Sequence, residues 1–298
     1  MSQKKNKKQL QANKSIPHYI IVLLKCLCVS LFVGRAWQHL RWDAPYRTLL
    51  WDENLLHDIV ENMLNISWQT YVSQSDIYIQ NFIVAIGVLY LFFAVVSILA
   101  QNHKPWQGNA LKLGSVMLLF LALLYYKEKF YQIGQLIEYA LQIGTPLALY
   151  YAVFHGKNTV SYRLFLKIII ALTFIGHGLY AMGYYAVPAN FQQMIVNFFG
   201  ISEISARQLL IFAAYADFAI AIAIFLPYLK SPFLLYAIFW GTATALARVV
   251  ANLQTFMLSD GINQAWFEMA YRLPHGGIPL VLWLLLREKN KRLFKFCF

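Results

Sequence analysis

Along the chain, polar positions are confined to short intervals between long apolar blocks. The clearest blocks cover residues 82–99, 164–182, 209–226 and 233–250. Each approaches the roughly 20 residues that a helix needs to cross a hydrocarbon core about 30 Å thick. No ten-residue alternation of apolar and polar positions recurs, so a membrane β-barrel is excluded. The pattern predicts an all-α polytopic membrane protein of about eight spans: 17–37, 79–100, 111–126, 137–154, 164–184, 208–228, 233–253 and 274–286. The third and eighth are the shortest.

Composition supports this reading: 59% of the 298 residues are hydrophobic and only 13% charged, about half the charge of a soluble domain. The net charge of +12 gathers at loops and ends instead of forming one patch, so it argues for membrane orientation and against nucleic acid as a partner. With the N-terminus inside, the cytoplasmic segments hold Lys4, Lys5, Lys7, Lys8, Lys14, Lys104, Lys112, Lys157, Arg163, Lys167, Lys230, Arg287, Lys289, Lys291, Arg292 and Lys295, joined by the single acid Glu288. The opposite side collects Asp43, Asp52, Glu53, Asp58, Glu61, Asp76, Glu128, Glu138, Glu203, Asp260 and Glu268. Lys and Arg resist translocation, so both termini are expected in the cytoplasm of a cell whose plasma or inner membrane holds the chain. No small-residue cleavage site follows the first apolar block, which reads as a retained helix.

A repeat divides the spans. Leu24-Lys25 and Phe32-Val33-Gly34 return 142 residues later as Leu166-Lys167 and Phe174-Ile175-Gly176. Gly144-Thr145-Pro146-Leu147 matches Gly277-Ile278-Pro279-Leu280, 133 residues on. An amphipathic stretch follows the first span of each half, at 52–64 and 191–199. These matches predict two fused four-helix units in parallel orientation, at 16–156 and 157–287, flanked by basic tails at 1–15 and 288–298.

Ionisable groups within a membrane span require a reason. Lys25, Lys112 and Lys167 lie near span ends and can snorkel. Asp217 lies mid-span and must be protonated or paired. Arg248 is its candidate partner, on a polar stripe with Gly241, Thr244 and Asn252 at helical spacing. His177, flanked by Gly176 and Gly178, and His275, beside Arg272, fall at a similar depth, and all of these are expected to converge in the outer half of the second unit, joined by Tyr180, Tyr184 and Tyr215. The first half offers Arg35, which the repeat aligns with His177, together with Glu138 and Gln142. Two readings stay open: a buried pair that fixes helix register, or a ligand- or proton-handling site. Cys26 and Cys28 read as small hydrophobes in a helix. No nucleotide loop or metal-ligand spacing occurs, so no metal is expected.

The second half resembles the DoxX-like group of four-helix membrane proteins. Phe174-Ile175-Gly176-His177-Gly178, the segment entered at Pro188, the interior acid Asp217, a basic small-residue helix and a Gly/Pro-started last helix carry the resemblance. The first half departs from the motif, with Arg35 where the second has His177. A weaker similarity is to the helical membrane domain of vitamin K-dependent carboxylases. Some DoxX-like proteins are subunits of quinone-reducing oxidoreductases, so the resemblance implies a quinone- or lipid-facing redox or accessory subunit, with a quinone as cofactor and a redox partner subunit. A small-solute or lipid transporter and a structural or assembly protein are the alternatives.

Overall fold

A computed structural model describes residues 15–253 and 258–294. The basic N-terminal tail up to residue 14 and the last four residues, including Lys295 and Cys297, lie outside the described residues. Among the described residues the protein is all-helical, and its only β feature is an isolated bridge between Ser15 and Lys157.

The helices are α1 (His18–Arg41), α2 (Arg47–Leu50), α3 (Glu53–Asp58), α4 (Trp68–Leu99), α5 (Pro105–Glu128), α6 (Ile133–Glu138), α7 (Ala140–Tyr150), α8 (Val160–Met182), α9 (Ala189–Phe199), α10 (Glu203–Ala223), α11 (Lys230–Asn252), α12 (Leu258–Arg272) and α13 (Pro274–Phe294). Short π-helical turns, Ile59–Met63 and Tyr151–His155, extend α3 and α7. The boundaries follow from local chemistry. Ser67, Thr159 and Ser202 cap α4, α8 and α10 by accepting from backbone N–H groups three residues on, which satisfies donors a helix start leaves orphaned. α5 opens on Pro105, whose missing N–H costs nothing there. Gly183 ends α8 at a φ of 90°, a left-handed conformation that glycine adopts without strain.

Among the described residues six helices, α1, α4, α5, α8, α10 and α11, are long and apolar enough to cross a membrane. Their outward faces are apolar too: on α4 alone Phe82, Val88, Leu91, Phe92, Val95, Ile98 and Leu99 are exposed. A water-soluble surface does not carry a continuous apolar belt of this kind, whereas lipid is its natural solvent. The segment expected as the fourth span is broken into α6 and α7 at Tyr139, and the eighth is α13.

α7 and α13 pack on each other and each on both α1 and α8, and one apolar core joins residues of both halves, from Ile16 to Leu285. α4 packs on α1 and α10 on α8, while α5 packs on α7 and α11 on α13. α6 lies across α8, and α12 lies across α1. Both crossings are close because glycine forms one wall. A Cβ on Gly176 would sit 2.8 Å from the Glu138 N and Gly134 O atoms of α6, and a Cβ on Gly34 would sit 2.7 Å from Phe267 O of α12. These crossings set the position of the polar residues below.

The acidic end is tied by ion pairs. Arg47 holds Asp43 at 2.9 Å and Asp76 at 2.7 Å, and Lys127 donates to Asp52 Oδ2. The Lys127 hydrogen bond holds the Asp52 carboxyl below the ordinary carboxylate range. A depressed folded-state pKa stabilises above the unfolded value and loses that contribution as pH falls through the folded one. Asp52→Asn is therefore expected to flatten the acid limb of the stability–pH curve while leaving neutral-pH packing intact. Thermal unfolding across that pH range checks it, and an unchanged acid limb would count against the pair.

Candidate functional site

Near the acidic end, the α6 and α12 crossings bring two polar clusters together. The first is centred on Glu138, the last residue of α6 and buried. Arg272 Nη1 donates to Glu138 Oε1 at 3.1 Å. His177 Nε2 lies 3.3 Å from the same oxygen, close enough for an ion pair but not aligned as a hydrogen bond. His275 stacks on His177, ring centroids 5.1 Å apart and planes within 15°. Its Nδ1 lies 2.7 Å from the Arg272 carbonyl oxygen. A carbonyl can only accept, so Nδ1 carries the proton, and Nε2 of the neutral ring is an acceptor.

The second cluster surrounds Arg35, which is fully buried. Its guanidinium donates to Gln142 Oε1 (3.0 and 2.5 Å) and to Gln38 Oε1 (2.7 Å). It lies 3.8 Å over the Tyr271 ring and 5.0 Å from that of Tyr139. Aromatic faces and amide oxygens thus take the place of a carboxylate, a favourable arrangement for a desolvated guanidinium.

Arg248 joins the site from α11. Its acidic partner is Glu268, 2.8 Å away on α12, and not Asp217. The pairing expected from the sequence is corrected here for a geometric reason: α12 packs along α11 and presents its acid to Arg248. Asp217 is buried on α10, within hydrogen-bonding reach of Trp240, and its Oδ1 lacks a partner. Tyr215 is 63% exposed on α10 and lines neither of the cavities described next, so it stands apart from the cluster.

Two cavities meet at these residues. One, of about 910 Å³, is walled by polar and aromatic side chains from α1, α5, α6, α8, α11 and α12 and from the segment leading into α9. The other, of about 580 Å³, is an apolar groove between α9, α10 and α11, walled by Ile195, Phe198, Leu209, Phe212, Phe239 and Leu246, with His177 and Asp217 at its polar points. Phe191, Arg248 and Arg272 line both. Phe198, Phe212 and Phe239 are at least half exposed, so the groove opens on the apolar belt. Arg248 Nε, Arg272 Nε, His177 Nε2 and His275 Nε2 are buried without hydrogen-bond partners. Unsatisfied buried polar atoms are costly, and these four belong to the cavity walls or to the histidine stack beside them.

Of the residues expected from sequence, His177, Arg272 and His275 come together on Glu138, Arg248 adjoins them across the cavities, and Arg35 anchors the neighbouring cluster. The central role of Glu138 and the partnership of Glu268 were not visible in the sequence. From sequence, Glu138 is expected beside Arg35 and Gln142 of the first half, and Glu268 only as one of the acids of the outer side. No group of three or more metal-ligating side chains occurs among the described residues. No protein-family model, curated protein or solved structure matches the chain.

Proposed function

We propose that this integral membrane protein spans the bilayer eight times as two fused four-helix units with both termini cytoplasmic, and binds a quinone- or lipid-like amphiphile as a DoxX-like redox or accessory subunit. The observation that carries the binding reading is the junction of cavity and groove at Phe191, Arg248 and Arg272. A tail fits the apolar groove, reached sideways from lipid. A carbonyl- or hydroxyl-bearing head accepts from the orphaned Arg248 and Arg272 nitrogens and donates to, or accepts from, His177.

Pairwise contacts support the four-plus-four division. Under the offsets of 142 and 133 residues, Arg35 matches His177, Gln142 matches His275, Glu138 matches Tyr271 and Tyr139 matches Arg272. Arg35 contacts Tyr139, Gln142 and Tyr271, and the matched set His177, Arg272, His275 and Glu138 forms the other cluster. Counting α6–α7 and α13 with the six long apolar helices restores eight. A carrier would place its site near the midplane, whereas residues 125–139, 180–191 and 267–272 lie at one end of their helices.

The test is binding of decylubiquinone to the protein in phosphatidylcholine nanodiscs. Wild-type protein is expected to bind saturably, and Arg248→Met and His177→Ala each to weaken binding about tenfold, the value of one lost charged or neutral hydrogen bond. Asp217→Asn should change it less, since Asp217 stands outside the ion pairs that join Glu138, His177 and Arg272. Absence of saturable binding, or equal affinity in all variants, would remove the quinone reading.

A further inference from the structure

The larger cavity has a chemistry different from the groove, and the inference drawn from it stands whether or not the groove takes an amphiphile. Its wall holds three acids, Asp43, Glu138 and Glu268, and three bases, Lys129, Arg248 and Arg272. The acids and bases balance, and two of the pairs are already closed within the wall, Arg272 on Glu138 and Arg248 on Glu268. Asp43 is held by Arg47 from outside the wall, so an anion could pair with Lys129 alone among the wall's charges without displacing a partner, whereas an uncharged ligand displaces none.

The remaining wall is aromatic and amide. Trp42, Tyr139, Tyr180 and Tyr271 offer rings, and Gln132 and Gln135 offer amides. Tyr180 Oη donates to Gln132 Oε1 at 2.9 Å and fixes that side chain at the rim. Ring faces suit the C–H faces of a pyranose, while amides and paired carboxylates suit adjacent hydroxyls that both donate and accept. The volume of about 910 Å³ falls at the upper end of small-ligand pockets, with room for one or two sugar rings. We propose that this cavity binds an uncharged polyhydroxylated ligand, a saccharide unit, either free or as the head of a glycolipid whose tail occupies the adjoining groove.

The experiment uses the full chain in phosphatidylcholine nanodiscs, free of glycoside detergents. Tryptophan emission and thermal unfolding are followed against glucose, galactose, N-acetylglucosamine and maltose, and in parallel against monoglucosyl diacylglycerol incorporated in the disc. Glutamate and inorganic phosphate serve as charged controls. At least one sugar or the glycolipid is expected to shift both signals saturably, with little dependence on salt. A response to the free sugars assigns a soluble ligand, and a response to the glycolipid alone assigns a lipid-linked one. Gln135→Ala and Trp42→Ala should each raise the dissociation constant about tenfold, with the ligand-free melting temperature of each variant measured alongside to separate lost binding from lost folding. No response to any sugar or to the glycolipid, a stronger response to phosphate or glutamate, or affinities unchanged in both variants would overturn the proposal.

Discussion

Glu138→Leu is expected to destabilise the protein by about 3–5 kcal/mol, the cost of removing one partner from a buried ion pair. Glu138 is buried and receives Arg272 at 3.1 Å with His177 at 3.3 Å. Its loss leaves a buried guanidinium with no acid opposite, and that uncompensated charge dominates over the small gain in apolar packing. The prediction separates charge compensation from simple volume. In Glu138→Leu/Arg272→Met, both charges vanish, and replacing a buried pair by apolar groups is often neutral. The double variant should regain most of the lost stability, leaving the His177–His275 stack in place. Unfolding in mild detergent, followed by far-UV circular dichroism against added denaturing detergent, measures both. If the double variant is no more stable than Glu138→Leu, the ion pair is not what the site depends on.

The ease with which this site could be read from the sequence differed from residue to residue. His177 and His275 stood out because an imidazole beside glycines within an apolar run has few explanations, and both reached the cluster. Arg248 stood out for the same reason, but its partner did not. Asp217 is an acid in a neighbouring span and attracted the pairing, whereas Glu268 lies in the short helix that precedes α13 and reads as one more acid on a polar stretch. Only the packing of α12 along α11 and across α1 turns it inward. Glu138 is similar: it ends a six-residue helix whose shortness erases any periodic signal, and the crossing on Gly176 decides where it points. The long helices were legible because burial in lipid needs only composition and length. The half-length elements α6 and α12 were not, because their placement depends on contacts between distant parts of the chain.

Those crossings supply the second large prediction, which concerns Gly34 and Gly176 together. A methyl group on Gly176 would meet Glu138 N and Gly134 O at 2.8 Å, and one on Gly34 would meet Phe267 O at 2.7 Å and Tyr271 N at 2.8 Å. All four neighbours are backbone atoms, which cannot rotate aside, so the helices must separate. Alanine returns about 1 kcal/mol of helix propensity, but overpacking costs about 1–3 kcal/mol, and small residues at such contacts are what allow membrane helices to approach. The steric term is expected to win, so that Gly34→Ala and Gly176→Ala are each destabilised, Gly176→Ala also losing ligand affinity because α6 moves Glu138 away from His177. In Gly34→Ala, the displaced Tyr271 leaves the Arg35 guanidinium it covers at 3.8 Å, which weakens the other cluster by the equivalent movement. Comparable losses in the two variants, read from the same detergent unfolding curves, are what a repeated architecture requires. A Gly176→Ala protein more stable than wild type would show that the α6 crossing is loose, and Glu138 would then have no fixed place from which to hold Arg272 and His177.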